Sequence, residues 1–65
     1  MNKLKEIRLE KGYTQNELAI KSGIKIGTVQ KYESGEMNIK RARVDIVLKL
    51  SQALGTTIEQ LIRQM

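Results

Sequence analysis

Between Gln15 and Lys31 the chain concentrates side chains that donate hydrogen bonds or carry positive charge: Gln15, Lys25, Thr28, Gln30 and Lys31. Such groups bind; they do not catalyse. Covalent, acid–base or metal chemistry would call on histidine, cysteine or grouped carboxylates. The chain has no histidine and no cysteine, and its acids are scattered along its length. Ser22, Ser34 and Ser51 read as helix surface or terminus residues, not as nucleophiles. The expectation is therefore no enzyme, no metal and no cofactor. Twelve Lys and Arg against seven Asp and Glu leave a net charge of +5, a balance that suits polyanions, nucleic acid first and an anionic membrane second.

These residues need a scaffold, and the pattern supplies a helical one. A chain of 65 residues has room for one domain, 1–65. It would bury only about 60% of the surface its unfolded form exposes, and without cysteine no disulfide can supplement the core. It has no proline, and its glycines fall between apolar-periodic segments. Asn2 can cap a first helix through about Lys11, with Leu4, Ile7 and Lys11 on one face and Gly12 as its stop. Thr14-x-x-Glu17 has the form of a capping box opening a second helix, which ends at Ser22 before Gly23. A third helix covers Ile26 to Ser34. Residues 36–42 lack helical periodicity and read as a loop. A fourth helix shows Val44, Val47, Leu48, Leu50, Ala53 and Leu54 as a broad apolar face. Thr57-x-x-Gln60 looks like a second capping box before a short fifth helix. The fold class expected is all-α, with five short helices. No apolar run approaches the roughly 18 residues that span a bilayer, and no signal-peptide core is seen, so a soluble, cytoplasmic protein is expected.

The second and third helices form a unit of their own, residues 14–34. Two helices crossing steeply need a small residue at the crossing and a glycine where the chain reverses. Ala19 and Gly23 are spaced for this. Val29 and Tyr32, at i and i+3, can anchor the third helix from its inner side with Leu18 and Ile24 beneath, leaving its outer face for a ligand. This is the pattern of a helix-turn-helix.

Three blocks, LKEIRLEKGYTQNELA, GIKIGTVQKYESG and LSQALGTTIEQLI, carry a wider resemblance. In this order and spacing they resemble the Cro and phage-repressor-type helix-turn-helix family, the Xre-type regulators. The resemblance covers nearly the whole chain. It implies a compact five-helix DNA-binding domain and a regulator acting as a repressor, placing its third helix in the major groove of a palindromic operator in a bacterial cell or phage system. It also implies an internal ion pair between Arg8 and Glu33, whose bland alternative is two solvated charges. Phosphate contact falls to Gln15 and to the amides that open its helix. Base contact falls to Lys25, Ile26, Gly27, Thr28 and Lys31, with Gln30 nearby.

Two departures stand out from that pattern. Relatives often have a capping serine at the place of Lys25 and a long polar residue at that of Ile26. Lys25 cannot accept a capping hydrogen bond, and Ile26 cannot bond a base edge. Ile26 can instead pack on a thymine methyl while Gly27 allows close approach, or it can plug a hydrophobic gap beside a drifted surface glycine. Lys31 can reach guanine or a phosphate. The second departure is a longer loop after Gly35. Its Lys40, Arg41 and Arg43 resemble the backbone-gripping loop of phage repressors; the alternatives are an exposed basic loop without a ligand or a segment that alters dimer geometry.

Ile58, Leu61, Ile62 and Met65 are more apolar residues than one terminal helix can bury, so some, with Ile46 as an addition, are expected to form a homodimer interface. Pairing would match a palindrome with half-site centres about 34 Å apart or a multiple of it. The alternative is a fully internal fifth helix. Other classes fit less well. A partner-neutralising module of the same fold would carry an added segment, and a membrane-surface peptide would not need glycine stops. Double-stranded DNA and a second copy are the partners expected; no small-molecule effector is evident.

Overall fold

The computed structural model describes residues 3–63. Five α-helices follow one another: α1 (Lys3–Glu10), α2 (Gln15–Ser22), α3 (Ile26–Ser34), α4 (Val44–Leu54) and α5 (Ile58–Ile62), with a 3-10 turn, Ile39–Arg41, between α3 and α4. There is no strand among the described residues. The all-α, five-helix expectation therefore holds. Asn2, expected to cap α1, and Met65, expected at a dimer interface, lie outside the described residues.

The ends of these helices follow from side-chain chemistry. At α2 both halves of the capping box form: Thr14 Oγ1 accepts from the Glu17 amide at 3.0 Å, and Glu17 Oε1 accepts from the Thr14 amide at 2.8 Å. Two amides that the helix geometry leaves unbonded are thereby satisfied. At α5 only half the expected box forms. Thr57 Oγ1 accepts from the Gln60 amide at 3.1 Å. The Gln60 side chain does not return to the Thr57 amide but accepts from Thr56 Oγ1 at 2.6 Å.

The core is drawn from every helix. Leu4 and Ile7 of α1, Leu18 and Ala19 of α2, Val29 and Tyr32 of α3, Val47, Leu50 and Leu54 of α4 and Leu61 of α5 are all buried. Each fully buried aliphatic side chain is worth about 1.5–3 kcal/mol against exposure. α2 packs on α3 and α4, while α1 closes the other side against α3 and α5. Lys11, expected on the buried face of α1, is exposed, because α1 ends at Glu10 and the chain turns through Gly12.

Two further expectations change. The broad apolar face of α4 includes Val44 and Leu48, yet these are 75% and 41% exposed. The periodic apolar stripe is wider than the surface that four other short helices can cover. The segment read as a loop holds the 3-10 turn, with the Asn38 side chain accepting from the Lys40 amide at 2.9 Å. Ile39 within it is buried in the core. A three-residue turn is too short to show periodicity, so its anchor escaped the pattern.

Candidate nucleic-acid interface

The turn between α2 and α3 is built on Gly23, whose φ of 73° lies in the left-handed region. The Gly23 and Ile24 amides both donate to the Ala19 carbonyl, at 2.9 and 3.2 Å. Ser22 adds a local bond, its Oγ accepting from the Ile24 amide at 3.3 Å. These contacts close α2 while swinging Ile24 into the core, and they set the angle at which α3 leaves.

α3 is then held from one side only. Val29 and Tyr32 sink into the core, and Glu33 is buried beside them. The carboxylate of Glu33 takes Arg8 Nε on Oε2 at 2.6 Å and Arg8 Nη2 on Oε1 at 3.0 Å. Arg8 Nη1 donates in turn to the Tyr13 carbonyl at 2.7 Å. One guanidinium thus ties together α1, the chain entering α2, and α3. The bidentate geometry satisfies both charges where water is excluded, which is the condition for a buried pair to hold. Among the described residues, no buried side-chain nitrogen or oxygen lacks a partner.

The opposite side of α3 faces out. Lys25, Ile26, Gly27, Gln30 and Lys31 are exposed, and Thr28 is half-buried. Gly27, Gln30, Lys31 and Ser34 line one open groove of about 310 Å³, with Glu36 at its edge. Spacings of three and four place these residues on one stripe. Lys25 forms no side-chain cap, so the first turn of α3 keeps backbone amides directed outward. Ile26 is 40% exposed and stands outside the core cluster. Nothing in the chain lies within 4 Å of a Cβ built at Gly27, so the fold does not require glycine there.

Gln15, at the start of α2, is half-buried and turns inward. Its Nε2 donates to Glu33 Oε1 at 3.0 Å, and its Oε1 faces Gln30 Nε2 at 3.5 Å. The sequence assigns Gln15 an outward contact; the inward donation became visible only with α1, α2 and α3 assembled. Lys21, also unassigned from sequence, sits 5.0 Å from the centre of the Tyr13 ring, a cation–π distance.

The basic loop lies beyond α3. The Met37 amide donates to the Lys31 carbonyl at 3.1 Å. Lys40 and Arg41 then stand exposed on the turn that Ile39 pins from below. Arg43 is also exposed and reaches Asp45 at 3.3 Å, a surface pairing worth only about 0–1 kcal/mol. Asn38 followed by Lys40 is a side-chain-to-backbone turn signal, and with it the turn was open to detection.

The residues expected at a dimer interface separate. Ile58, Ile62 and Ile46 are half-buried. Ile58 and Ile62, with Ile39, Ala42, Val44, Val47 and the Lys40 stem, line an apolar groove of about 140 Å³. Leu61 is fully buried within its own chain. It therefore offers no surface to a second copy, a correction to the expected set.

No group of three or more histidine, cysteine, aspartate or glutamate residues that could hold a metal occurs among the described residues. No helix there is long and apolar enough to cross a membrane. Neither curated proteins nor solved structures return a match to the chain. The helix-turn-helix family model matches residues 4–61, all but the two ends, and spans both the α2–α3 unit and the helices that bury it. On that match and on this architecture, the chain belongs to the Cro and phage-repressor-type helix-turn-helix family of DNA-binding, Xre-type regulators.

Proposed function

We propose that this chain is a sequence-specific repressor of transcription that pairs as a homodimer on a palindromic operator. α3 enters the major groove. Gly27, Gln30 and Lys31 read base edges there, with Lys25, Ile26 and Thr28 at the leading end. Ile26 packs on a thymine methyl, and Gly27 lets the backbone approach closely. The backbone amides opening α2 at Gln15 meet one phosphate, and Lys40, Arg41 and Arg43 meet others. The second copy docks across Ile58 and Ile62. Bacterial cytoplasm is the compartment that such a role implies.

One observation carries this reading: α3 is fixed on its inner side by Val29, Tyr32 and the Arg8–Glu33 pair, while Gly27, Gln30 and Lys31 share its open outer groove. Lysine and glutamine are ordinary on a solvent-facing stripe, but with a glycine that the fold does not need they give α3 a slim outer face able to donate hydrogen bonds. The groove is open along α3 and not an enclosed cavity, a shape that suits a long rigid ligand better than a small molecule.

The test is selection of bound duplexes from a random library, followed by salt titration of the winner and of a scrambled duplex. The expected outcome is an enriched, two-fold symmetric sequence. Its log affinity should fall with log salt at a slope of about −0.9 per phosphate neutralised. No enrichment, together with no binding to any duplex at ~50 mM salt, would refute the reading.

A further inference from the structure

The contacts of Gln15 form a chain of orientation running from the buried ion pair to the outer face of α3. A carboxylate can only accept hydrogen bonds. Glu33 Oε1, 3.0 Å from the Gln15 side chain, therefore requires the amide nitrogen of Gln15, and not its oxygen, to point inward. Glu33 cannot rotate away to accommodate the other arrangement, because Arg8 holds both of its oxygens and the residue is buried. With the nitrogen committed inward, Gln15 Oε1 points the other way, toward Gln30 Nε2 at 3.5 Å. That distance is at the outer edge of hydrogen bonding, enough to orient an exposed amide without clamping it. An oxygen there attracts the nitrogen of Gln30 and repels its oxygen. Gln30 is thereby turned so that its own oxygen is the end left for the groove.

We infer that Glu33 is a positioning residue for base recognition: through Gln15 it sets the amide orientation of Gln30, which then presents its carbonyl to an exocyclic amino group in the major groove. This rests on the DNA-binding reading given above and adds a residue and a base chemistry to it. In the major groove the amino donors are N6 of adenine and N4 of cytosine, whereas thymine O4 and guanine O6 only accept. Gln30 should thus favour adenine or cytosine on the strand it faces. The Gln30 nitrogen carries a second hydrogen that Gln15 does not take and that can donate to N7, so adenine, with N6 and N7 side by side, is the better match. The Arg8–Glu33 pair then acts in reading as well as in holding the fold.

Three variants separate this from a purely structural role. Gln15→Met and Gln30→Met keep side-chain length and remove the amides, leaving the Arg8–Glu33 pair in place. The combined Arg8→Met and Glu33→Met variant replaces the buried pair by apolar side chains of similar length, a change that other buried pairs often tolerate. Wild type and variants are titrated against the selected operator and against operators changed at each base pair in turn. Thermal unfolding of each variant confirms that the protein compared is folded.

For the wild type, exchanging adenine for thymine at the base facing Gln30 should weaken binding about fivefold or more. Gln15→Met should erase most of that preference although Gln15 need not touch the base. Gln15→Met and Gln30→Met together should cost less than the product of the single effects, by about fivefold. If the double replacement of Arg8 and Glu33 folds, it should lose the preference at the same base pair and keep it elsewhere. Multiplicative effects of Gln15→Met and Gln30→Met, or a Gln15→Met variant weaker on all operators alike, would overturn the inference alone. Absence of duplex binding by the wild type would overturn the DNA reading and this inference with it.

Discussion

Arg8 and Glu33, 25 positions apart, meet through two hydrogen bonds inside the protein, and that pair joins α1 to α3. The helix that faces outward is therefore oriented by a charge pair on its hidden side. Removing one member leaves the other buried and unpaired. Glu33→Ala is expected to cost about 3–5 kcal/mol of folding stability, measured by urea unfolding. Replacing both by methionine should recover most of that loss, because the cost lies in the orphaned charge. A single-variant loss below ~1 kcal/mol would mean that water reaches the guanidinium.

The basic turn and α3 should respond differently to charge removal. Lys40→Ala and Arg41→Ala are expected to weaken all duplexes about equally and to flatten the salt slope by about 0.9 each. Lys31→Ala should instead change the ranking of duplexes. Competition titrations at several salt concentrations distinguish the two. Identical behaviour of all three variants would remove Lys31 from base reading.

Gly27 offers a trade between stability and binding. It has φ in the ordinary range and open space where a Cβ would stand. Gly27→Ala should therefore stabilise the fold by roughly 0.5–1 kcal/mol, since glycine loses more backbone freedom in a helix than alanine does. Affinity for the selected operator should fall as the new methyl meets the groove floor. Thermal unfolding and binding isotherms on one preparation would show both; a gain in stability with unchanged affinity would place Gly27 away from the DNA.

Leu61 and Ile62 are neighbours with opposite assignments. Leu61→Ala should destabilise the single chain by about 2–5 kcal/mol, as expected for a fully buried leucine. Ile62→Lys, at a half-buried position, should cost the single chain less stability than Leu61→Ala and shift sedimentation toward the monomer. An unchanged sedimentation profile would move the interface off this groove.

Much of this architecture is legible before any coordinates exist, and the reasons are local. Thr14 and Glu17 stand three apart and can reach only each other's amides, so the start of α2 is written in adjacent residues. Gly23 and Gly35 likewise end their helices by their own conformational freedom. What depends on the assembled shape is harder to read. Val44 and Leu48 have the periodicity of buried residues, but burial needs neighbours on every side, and the surrounding elements cover these two only in part. Ile39 has such a neighbour but no periodicity to announce it. Gln15 looks outward because helix starts bind anions, yet its nitrogen is claimed by a carboxylate from a helix further along the chain. Lys25 and Ile26 can be seen to lack the usual capping and hydrogen-bonding groups; which base pair they favour depends on DNA that the chain does not encode.

The Ile39–Arg41 turn sorts two duties into consecutive positions. Ile39 faces the core, and its loss would be felt by the whole fold, whereas Lys40 and Arg41 are exposed, with only the Lys40 stem set against the groove beside α5. Changes at those two surface positions should alter stability by no more than about ±0.5 kcal/mol. Descendants of this chain can therefore drift from basic to neutral to acidic at the turn without first acquiring a compensating mutation. Operator affinity becomes heritable variation that selection can tune in small steps, with the scaffold left as it was.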